Sequence, residues 1–274
     1  MRRIIFLLVL LLTVQTSAYA TWSIVAVDRA TKRVVIASAT CVDRDDDFLK
    51  GVQAQVVPGK GVAACQSAAG NQALVFAELQ KGTDPKAIIE LASVDPQFQS
   101  RQFGIVDLQG RSAGHSGLSN GFVSQDIQGQ VPGTEIFYSI QGNILRSGKV
   151  MPNAVKAFIE NKGSLTDRVM AAMDAADNSG GDSRCTCPAP PTDGSKPEIA
   201  CEGRTSHVAY IIMAEPTDTI GANGSDGKYA LYITVSQPNR GPAHNIKAGE
   251  NLNPVKTLRL RYDAWRKTQP ASFK

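Results

Sequence analysis

Runs of β-branched and small apolar residues recur along the chain in groups, and helical segments, mostly in pairs, separate the groups. The strands predicted from these runs are 22–27, 34–39, 61–67, 103–107, 111–116, 135–141, 208–213 and 229–235. The predicted helices are 71–81, a segment capped by Asp84, 152–161, a segment from the capping pair Ser164 and Asp167 to 176, and a last one opening at Asn253. The first two strands flank a polar stretch and predict a β-hairpin.

This grouping is not the strict alternation of strand and helix that builds a doubly wound parallel sheet. It predicts instead an α+β fold in which two antiparallel sheets pack together and helices cover their outer faces. Sheets buried on both faces also account for the nearly continuous runs of Val, Ile and Ala, which leave few polar positions for solvent.

The first twenty residues have the pattern of a secretory signal peptide. A basic start precedes the apolar run 4–14, and Ala18 and Ala20 have the small-x-small spacing that signal peptidase recognises. Residues 1–20 are therefore predicted to be removed, and the protein is expected in a periplasm or outside the cell, with no membrane contact after cleavage. An uncleaved membrane anchor is the alternative, although the run is shorter than the roughly 20 residues that span a bilayer.

Cleavage at this position would leave Thr21 with a free α-amine. A threonine hydroxyl is a weak nucleophile until a base takes its proton, and an α-amine with a pKa of about 7.7–8.0 can be that base. Thr21 opens a predicted strand, which would hold it rigidly. The alternative is that Thr21 only marks the start of the mature chain.

Charge and length limit the function classes. The chain has 29 basic and 25 acidic residues, and this near balance gives no electrostatic reason to expect nucleic acid as a partner.

Residues 21–274 are long enough for one large domain with its own core. A stretch rich in Gly, Ser, Pro and Cys at about 178–204 is predicted to be an inserted surface loop. The sequence is compatible with an oligomer.

Several segments, in their order and spacing, resemble a known family. They are 21–28 (TWSIVAVD), Cys65-Gln66 with Asn71, 104–107 (GIVD) with Gly110-Arg111, Gln141-Gly142-Asn143, and 180–184 (GGDSR). The chain is similar over nearly its whole predicted mature length to the uncharacterised DUF1028 family, which is grouped with the N-terminal nucleophile (Ntn) hydrolases. The resemblance implies a four-layer αββα sandwich that presents an N-terminal Thr at the end of a strand.

The resemblance also suggests roles for polar residues near strand ends. Asn143 follows a glycine just after a strand, where its amide can donate to an oxyanion, or it can stabilise its own tight turn. Gln66 lies near the end of a strand and is a candidate substrate-binding residue. Asn71 begins the next helix and is more simply explained as an N-cap.

Five further polar residues complete the predicted site. Asp182 and Arg184 lie in a glycine-rich turn. In such a turn the carboxylate can face the new α-ammonium, and the guanidinium can bind a substrate carboxylate. The alternative is that the two residues form an ion pair that only holds the loop. Ser23 should share the strand face of Thr21, and Ser38 is a comparable candidate on the second hairpin strand. His115, at a strand end, is a candidate pocket residue. After Arg184 the chain departs from the family pattern, because the insertion precedes the next strand.

An odd number of cysteines in an exported protein indicates disulfides and at least one thiol that is free or intermolecular. The cysteines are Cys41, Cys65, Cys185, Cys187 and Cys201. The last three, with His207, offer four possible zinc ligands, but export favours a disulfide that closes the loop. The first two either pair with each other or are small buried residues.

The remaining clusters indicate no cofactor. The aspartates within 43–47 lack the glycine and glutamate of an EF-hand at the required positions, and a solvated acidic loop is the better interpretation. The three histidines show no shared metal spacing, and no phosphate loop, dinucleotide fingerprint or Gly-x-Ser-x-Gly elbow is present.

The sequence therefore predicts an exported Ntn-type hydrolase that cleaves an amide bond of a peptide or small molecule. Thr21 would be nucleophile and base, Asn143 the oxyanion donor, and Asp182 and Arg184 the groups that position the amine or the substrate, with no cofactor. The alternative is a non-catalytic exported binding protein, or one associated with the envelope, on the same fold.

Overall fold

The computed structural model of the protein describes residues 21–66, 71–186, 202–239, 244–270 and 273. These parts contain ten β-strands and six α-helices. The strands are β1 (Thr21–Asp28), β2 (Arg33–Thr40), β3 (Ala54–Val57), β4 (Gly61–Gln66), β5 (Gln102–Asp107), β6 (Ser112–Ser116), β7 (Gln125–Gln130), β8 (Ile136–Asn143), β9 (Val208–Ala214) and β10 (Leu231–Ser236). The helices are α1 (Asp46–Gln53), α2 (Asn71–Lys81), α3 (Pro85–Ala92), α4 (Val150–Glu160), α5 (Leu165–Asn178) and α6 (Pro254–Thr268).

The strands form two antiparallel sheets. Sheet A has six strands in the order β10-β9-β2-β1-β8-β7, and sheet B has four in the order β3-β4-β5-β6. Every described pairing between neighbouring strands is antiparallel. The predicted α+β class with two antiparallel sheets is confirmed.

Three hydrophobic clusters show how the layers stack. Helices α4, α5 and α6 pack on the outer face of sheet A. Apolar residues of both sheets fill the space between them, and α2 and α3 cover the outer face of sheet B. The result is the predicted four-layer αββα sandwich.

The central strand β1 is buried on both faces. Trp22 and Ile24 point toward the helices of sheet A, whereas Val25 and Val27 point toward sheet B. This alternation explains why the sequence of β1 is apolar at nearly every position, since neither face meets solvent.

The predicted helix caps are present. The hydroxyl of Ser164 accepts from the backbone N–H of Asp167, whose carboxylate accepts from the N–H of Ser164, and this capping box starts α5. Asp84 caps α3 and Asn253 caps α6, each followed by proline in the first turn. Local side-chain chemistry therefore fixes where these helices begin.

One local prediction is wrong. Residues 43–47 do not form a wholly solvated acidic loop, because the side chain of Asp45 accepts from the N–H of Phe48 and caps α1. Leu49 of that helix packs into the cluster between the sheets. An aspartate at the N-cap and acidic residues in the first turn are favourable at a helix N-terminus, where unpaired N–H groups meet negative charge.

The cysteine pairing joins distant parts of the chain. Cys41, directly after β2, forms a disulfide with Cys185. The predicted alternative in which Cys41 pairs with Cys65 is therefore wrong, and Cys65 is a free, fully buried residue of the sheet B core. The predicted signal peptide and the cysteines at 187 and 201 lie outside the described residues. None of the described helices has the length and apolar composition needed to cross a membrane.

Candidate functional site

Thr21 is the first residue of β1 and lies at one end of sheet A, between strands β2 and β8. Its direct partner on β8 is Asn143, and its backbone nitrogen lies 2.9 Å from Asn143 Oδ1. On the other side, Thr21 Oγ1 donates to Thr40 Oγ1 at 3.3 Å. These three side chains share the face that points toward sheet B, because directly paired residues of antiparallel strands lie on the same face.

Asn143 is fully buried, and one of its two side-chain polar atoms forms no hydrogen bond with the described residues. Its Oδ1 accepts from the Thr21 nitrogen, which fixes the orientation of the amide and turns Nδ2 the other way. Nδ2 is buried and has no hydrogen-bond partner among the described residues. An unpaired buried donor costs about 1–3 kcal/mol. The carboxamide therefore does not stabilise its own turn, and it presents a donor beside Thr21.

The residue after Asn143 has a strained backbone. Ile144 has a φ of 49°, which is unfavourable for a β-branched residue. Gly121 allows this conformation, because a Cβ there would lie 2.5 Å from Ile144 Cγ1. The Ile144 carbonyl accepts from the backbone N–H and the hydroxyl of Ser183, at 3.0 and 2.8 Å. The strained residue thus ties the turn that carries Asp182 to the segment directly after β8, where Asp182 and Leu145 form an isolated antiparallel bridge.

Asp182 and Arg184 form a close ion pair with an Nη2–Oδ2 distance of 2.6 Å. Asp182 is fully buried, and its carboxylate also accepts from the backbone N–H groups of Cys41 and Arg184, at 2.8 and 3.0 Å. Arg184 Nη2 lies 3.3 Å from Thr40 Oγ1. Hydrogen bonds therefore run from Asp182 through Arg184 and Thr40 to the hydroxyl of Thr21.

Thr40 is a member of this cluster that was not predicted from the sequence. It lies two residues after Ser38 on the same strand face, and the hairpin register that pairs Trp22 with Ala39 places it beside Thr21. The sequence signal was the spacing of two residues from Ser38, although the predicted strand 34–39 ended one residue before Thr40. The disulfide reinforces the arrangement, because Thr40 and Arg184 are the residues immediately before Cys41 and Cys185.

A buried polar network lies behind Thr21 between the sheets. Ser23 Oγ accepts from Gln66 Nε2 of sheet B at 2.8 Å and from Gln141 Nε2 of β8 at 2.9 Å. Gln141 Oε1 in turn accepts from the hydroxyl of Ser139 at 3.1 Å. Gly104 of sheet B makes room for the Gln141 amide, since a Cβ there would lie 2.0 Å from Oε1. Ser23 and Gln66, both predicted site residues, are thus in direct contact.

Three other predicted residues have structural contacts. Ser38 donates to the Trp22 carbonyl at 2.7 Å and so links the two hairpin strands. His115 stacks on Phe98 with ring centroids 3.8 Å apart and packs near Phe103, whose side chain faces the helices on sheet B. The structure therefore does not bring His115 to Thr21. Asn71 donates to Asp95 at 2.7 Å.

The predicted zinc ligands are only partly described. Ligand atoms of Cys185, Glu202 and His207 lie within 4.8 Å of one another. The sulfur of Cys185 is in the disulfide with Cys41, however, so it is not a thiolate that could bind zinc. His207 Nε2 is instead 2.6 Å from a Glu202 carboxylate oxygen. Burial opposes ionisation of Glu202, but the interactions with His207 and the hydrogen bonds from Arg204 and Asn239 together outweigh burial and lower the pKa of that carboxyl.

Comparisons with known proteins identify a family without an assigned activity. The model of DUF1028, described as a family of unknown function, matches residues 21–189, more than half of the chain. The crystal structure of protein SPO2555 from Silicibacter pomeroyi, described with the same family model, aligns with a TM-score of 0.61 over 92% of this chain and 91% of that one. The two sequences are 20% identical, so the likeness shows a shared fold. No curated protein matches the chain.

Proposed function

We propose that this chain, which belongs to the DUF1028 family, is an exported hydrolase that cleaves an amide bond with Thr21 as its nucleophile. The grouping with Ntn hydrolases is part of the same proposal. The observation that carries it is the pairing of Thr21 with Asn143, in which one amide oxygen holds the Thr21 nitrogen while the amide nitrogen stays unpaired among the described residues.

The proposal requires that residues 1–20 are removed. A backbone amide nitrogen has no basic lone pair, whereas an α-amine is partly neutral near pH 7–8 and can take a proton. The amine can donate one N–H to Asn143 Oδ1 and keep its lone pair for the Thr21 hydroxyl. The family match supports this boundary, because it begins at Thr21.

Catalysis would then proceed through an acyl-enzyme. The α-amine takes the proton of Thr21 Oγ1, and the oxygen attacks the carbonyl carbon of the substrate. The developing oxyanion accepts a hydrogen bond from Asn143 Nδ2. When the tetrahedral intermediate collapses, the C–N bond breaks and the α-ammonium gives its proton to the leaving amine. Water, deprotonated by the same amine, hydrolyses the ester and restores Thr21.

Arg184 and Thr40 support this chemistry from the other side of Thr21. Thr40 Oγ1 lies 3.3 Å from Thr21 Oγ1 and 3.3 Å from the Arg184 guanidinium, so the Thr40 hydroxyl can donate to the Thr21 oxygen when the α-amine takes its proton. A nearby cation favours a hydroxyl that is losing its proton. The buried carboxylate of Asp182 holds that guanidinium in place through two contacts, so we assign the ion pair a positioning role.

The Cys41–Cys185 disulfide supports export. Structural disulfides form and persist in oxidising compartments such as the periplasm and the extracellular space. An exported location would join activation to secretion, because signal peptidase would expose the nucleophile as it releases the protein.

The test is covalent labelling of the mature protein with a β-lactone. The intact mass should rise by the mass of one probe, and peptide mapping should place the adduct on Thr21. Thr21→Ala should remove the labelling, and Thr21→Ser, which keeps a hydroxyl and an α-amine, should retain it. A mature protein that begins at Thr21 and is never acylated would favour a non-catalytic binding protein on the same fold.

A further inference from the structure

Two amide side chains of sheet B reach the residues that flank the Thr21–Asn143 pair. Gln66 Nε2 donates to Ser23, two residues after Thr21 on the same strand face. Gln102 Nε2 donates to the carbonyl of Gly142, the residue before Asn143, at 3.0 Å. Gln66 and Gln102 are themselves register partners on β4 and β5. Both amides therefore lie at the same end of the sandwich as the nucleophile.

The Gln66 amide has one atom that no described residue satisfies. Its nitrogen is committed to Ser23 Oγ, and Ser23 also accepts from Gln141, whose own orientation is fixed by Ser139. Gln66 Oε1 consequently points away from Ser23. This oxygen is buried and has no hydrogen-bond partner among the described residues, in a residue that is only 2% exposed. Such an acceptor is costly to bury unless a ligand supplies a donor.

The structure thus offers a buried, unpaired donor on Asn143 and a buried, unpaired acceptor on Gln66 at one end of the inter-sheet space. An amide group carries the complementary pair, a carbonyl oxygen and an N–H. We propose that Gln66 Oε1 accepts a hydrogen bond from the N–H of the amide that Thr21 attacks, which makes Gln66 the residue that selects amides over esters. This inference rests on the proposed function and adds the substrate class that the site would accept.

The chemical reason is that an ester has an oxygen where the amide has an N–H. With an ester bound, Gln66 Oε1 would face another acceptor and stay unpaired. A site built to hydrogen-bond a substrate N–H discriminates strongly against analogues that lack it, because its own buried polar group is then left unsatisfied. Gln141 is the matched comparison residue, since it contacts the same Ser23 hydroxyl but its Oε1 is already occupied by Ser139.

The experiment uses two probes with the same ring substituent, a β-lactone and the corresponding N–H β-lactam. In each case Thr21 Oγ1 attacks the ring carbonyl, and the ring C–O or C–N bond breaks. The leaving oxygen or nitrogen receives the proton from the α-ammonium, so the whole probe stays attached as an acyl group. Intact-mass spectrometry of the mature protein gives the acylation rate for each probe, and each variant is compared with the unaltered protein.

Both probes should acylate the unaltered protein. Gln66→Met should slow acylation by the lactam about tenfold more than acylation by the lactone. Gln141→Met should change both rates by the same factor, since it loosens Ser23 without removing a free acceptor. Equal slowing of the two probes in Gln66→Met, or labelling of the unaltered protein by the lactone alone, would overturn the role of Gln66. Failure of both probes on Thr21 would overturn the proposed function and this inference with it.

Discussion

Thr21 and Asn143 are direct partners on adjacent antiparallel strands, and the Thr21 nitrogen lies 2.9 Å from the side-chain oxygen of Asn143. Strand pairing therefore sets the distance between the candidate base and the candidate oxyanion donor. Because β1 is held on both sides by β2 and β8, this geometry is fixed by the sheet itself.

Asn143→Asp should separate the two roles of this side chain. An aspartate keeps an oxygen acceptor for the Thr21 nitrogen but removes the N–H donor and adds a negative charge where the oxyanion develops. Loss of one oxyanion donor typically lowers kcat by about 10²–10³-fold. The β-lactone acylation rate of Thr21 should fall by a similar factor while circular dichroism shows an unchanged fold. A variant that is acylated at the original rate would exclude Asn143 as the oxyanion donor.

Removing the Cys41–Cys185 disulfide should destabilise the protein and slow acylation together. The bond joins residues 144 positions apart, and loss of such a cross-link costs about 2–5 kcal/mol. A reductant should therefore lower Tm, measured by differential scanning fluorimetry. Acylation of Thr21 should also slow, because Thr40 and Arg184 directly precede the two cysteines.

The double variant Cys41→Ala/Cys185→Ala should show the lowered Tm without reductant. Cys65→Ala is the matched control, since this cysteine is buried but outside the disulfide, and its Tm should still fall when reductant is added. A Tm for the double variant equal to that of the oxidised protein would show that the cross-link does not stabilise the fold.

Gly104→Ala should disturb the site from the opposite sheet. The new Cβ would lie 2.0 Å from Gln141 Oε1, so the amide must move away from Ser23. Overpacking of this kind costs about 1–3 kcal/mol, which urea unfolding can measure. Gly51→Ala in α1 is the control, because nothing lies within 4 Å of its Cβ and alanine favours a helix, so its stability should stay equal or rise slightly. Equal effects of the two variants would contradict the close approach at Gly104.

Asp167 should contribute stability that disappears in acid. Burial opposes its ionisation, but hydrogen bonds from Arg266, Tyr262 and Ser164 outweigh burial and lower its pKa to about 2. An unfolded aspartate has a pKa of about 3.9, so the contribution is complete above pH 4 and is lost as the pH falls toward 2. The difference in unfolding free energy between the unaltered protein and Asp167→Asn should shrink over this range. If this difference in unfolding free energy stayed constant from pH 6 to pH 2, the stabilising role of the ionised Asp167 would be contradicted.

The sequence was informative wherever local chemistry decides the structure. Capping residues such as Asp84 and Ser164 predicted helix starts correctly, and the apolar run of β1 predicted a strand buried on both faces. Strand β7 was missed because Gln125–Gln130 is polar and lies at a sheet edge, where apolar alternation is not required. Helix α1 was missed because its acidic start resembles a solvated loop.

The identity of most site residues could be predicted from the sequence, whereas the long-range contacts between them could not. Thr21, Asn143, Asp182 and Arg184 do lie in one cluster, as the family resemblance implied. The Cys41–Cys185 pairing depends on two segments 144 residues apart, which no local pattern encodes. The same holds for the Gln66–Ser23 contact, because it joins two different sheets.

The mature N-terminus gives the most direct test of Thr21 as an N-terminal nucleophile. Two forms of the purified protein are compared by β-lactone labelling and intact mass, one that begins at Thr21 and one that keeps Ala20 ahead of it. The extra residue turns the α-amine of Thr21 into an amide and removes the base without changing any side chain of the site. Thr21 should be acylated rapidly in the first form and not at all in the second. Equal acylation of Thr21 in both forms would contradict the proposal that its α-amine is the catalytic base.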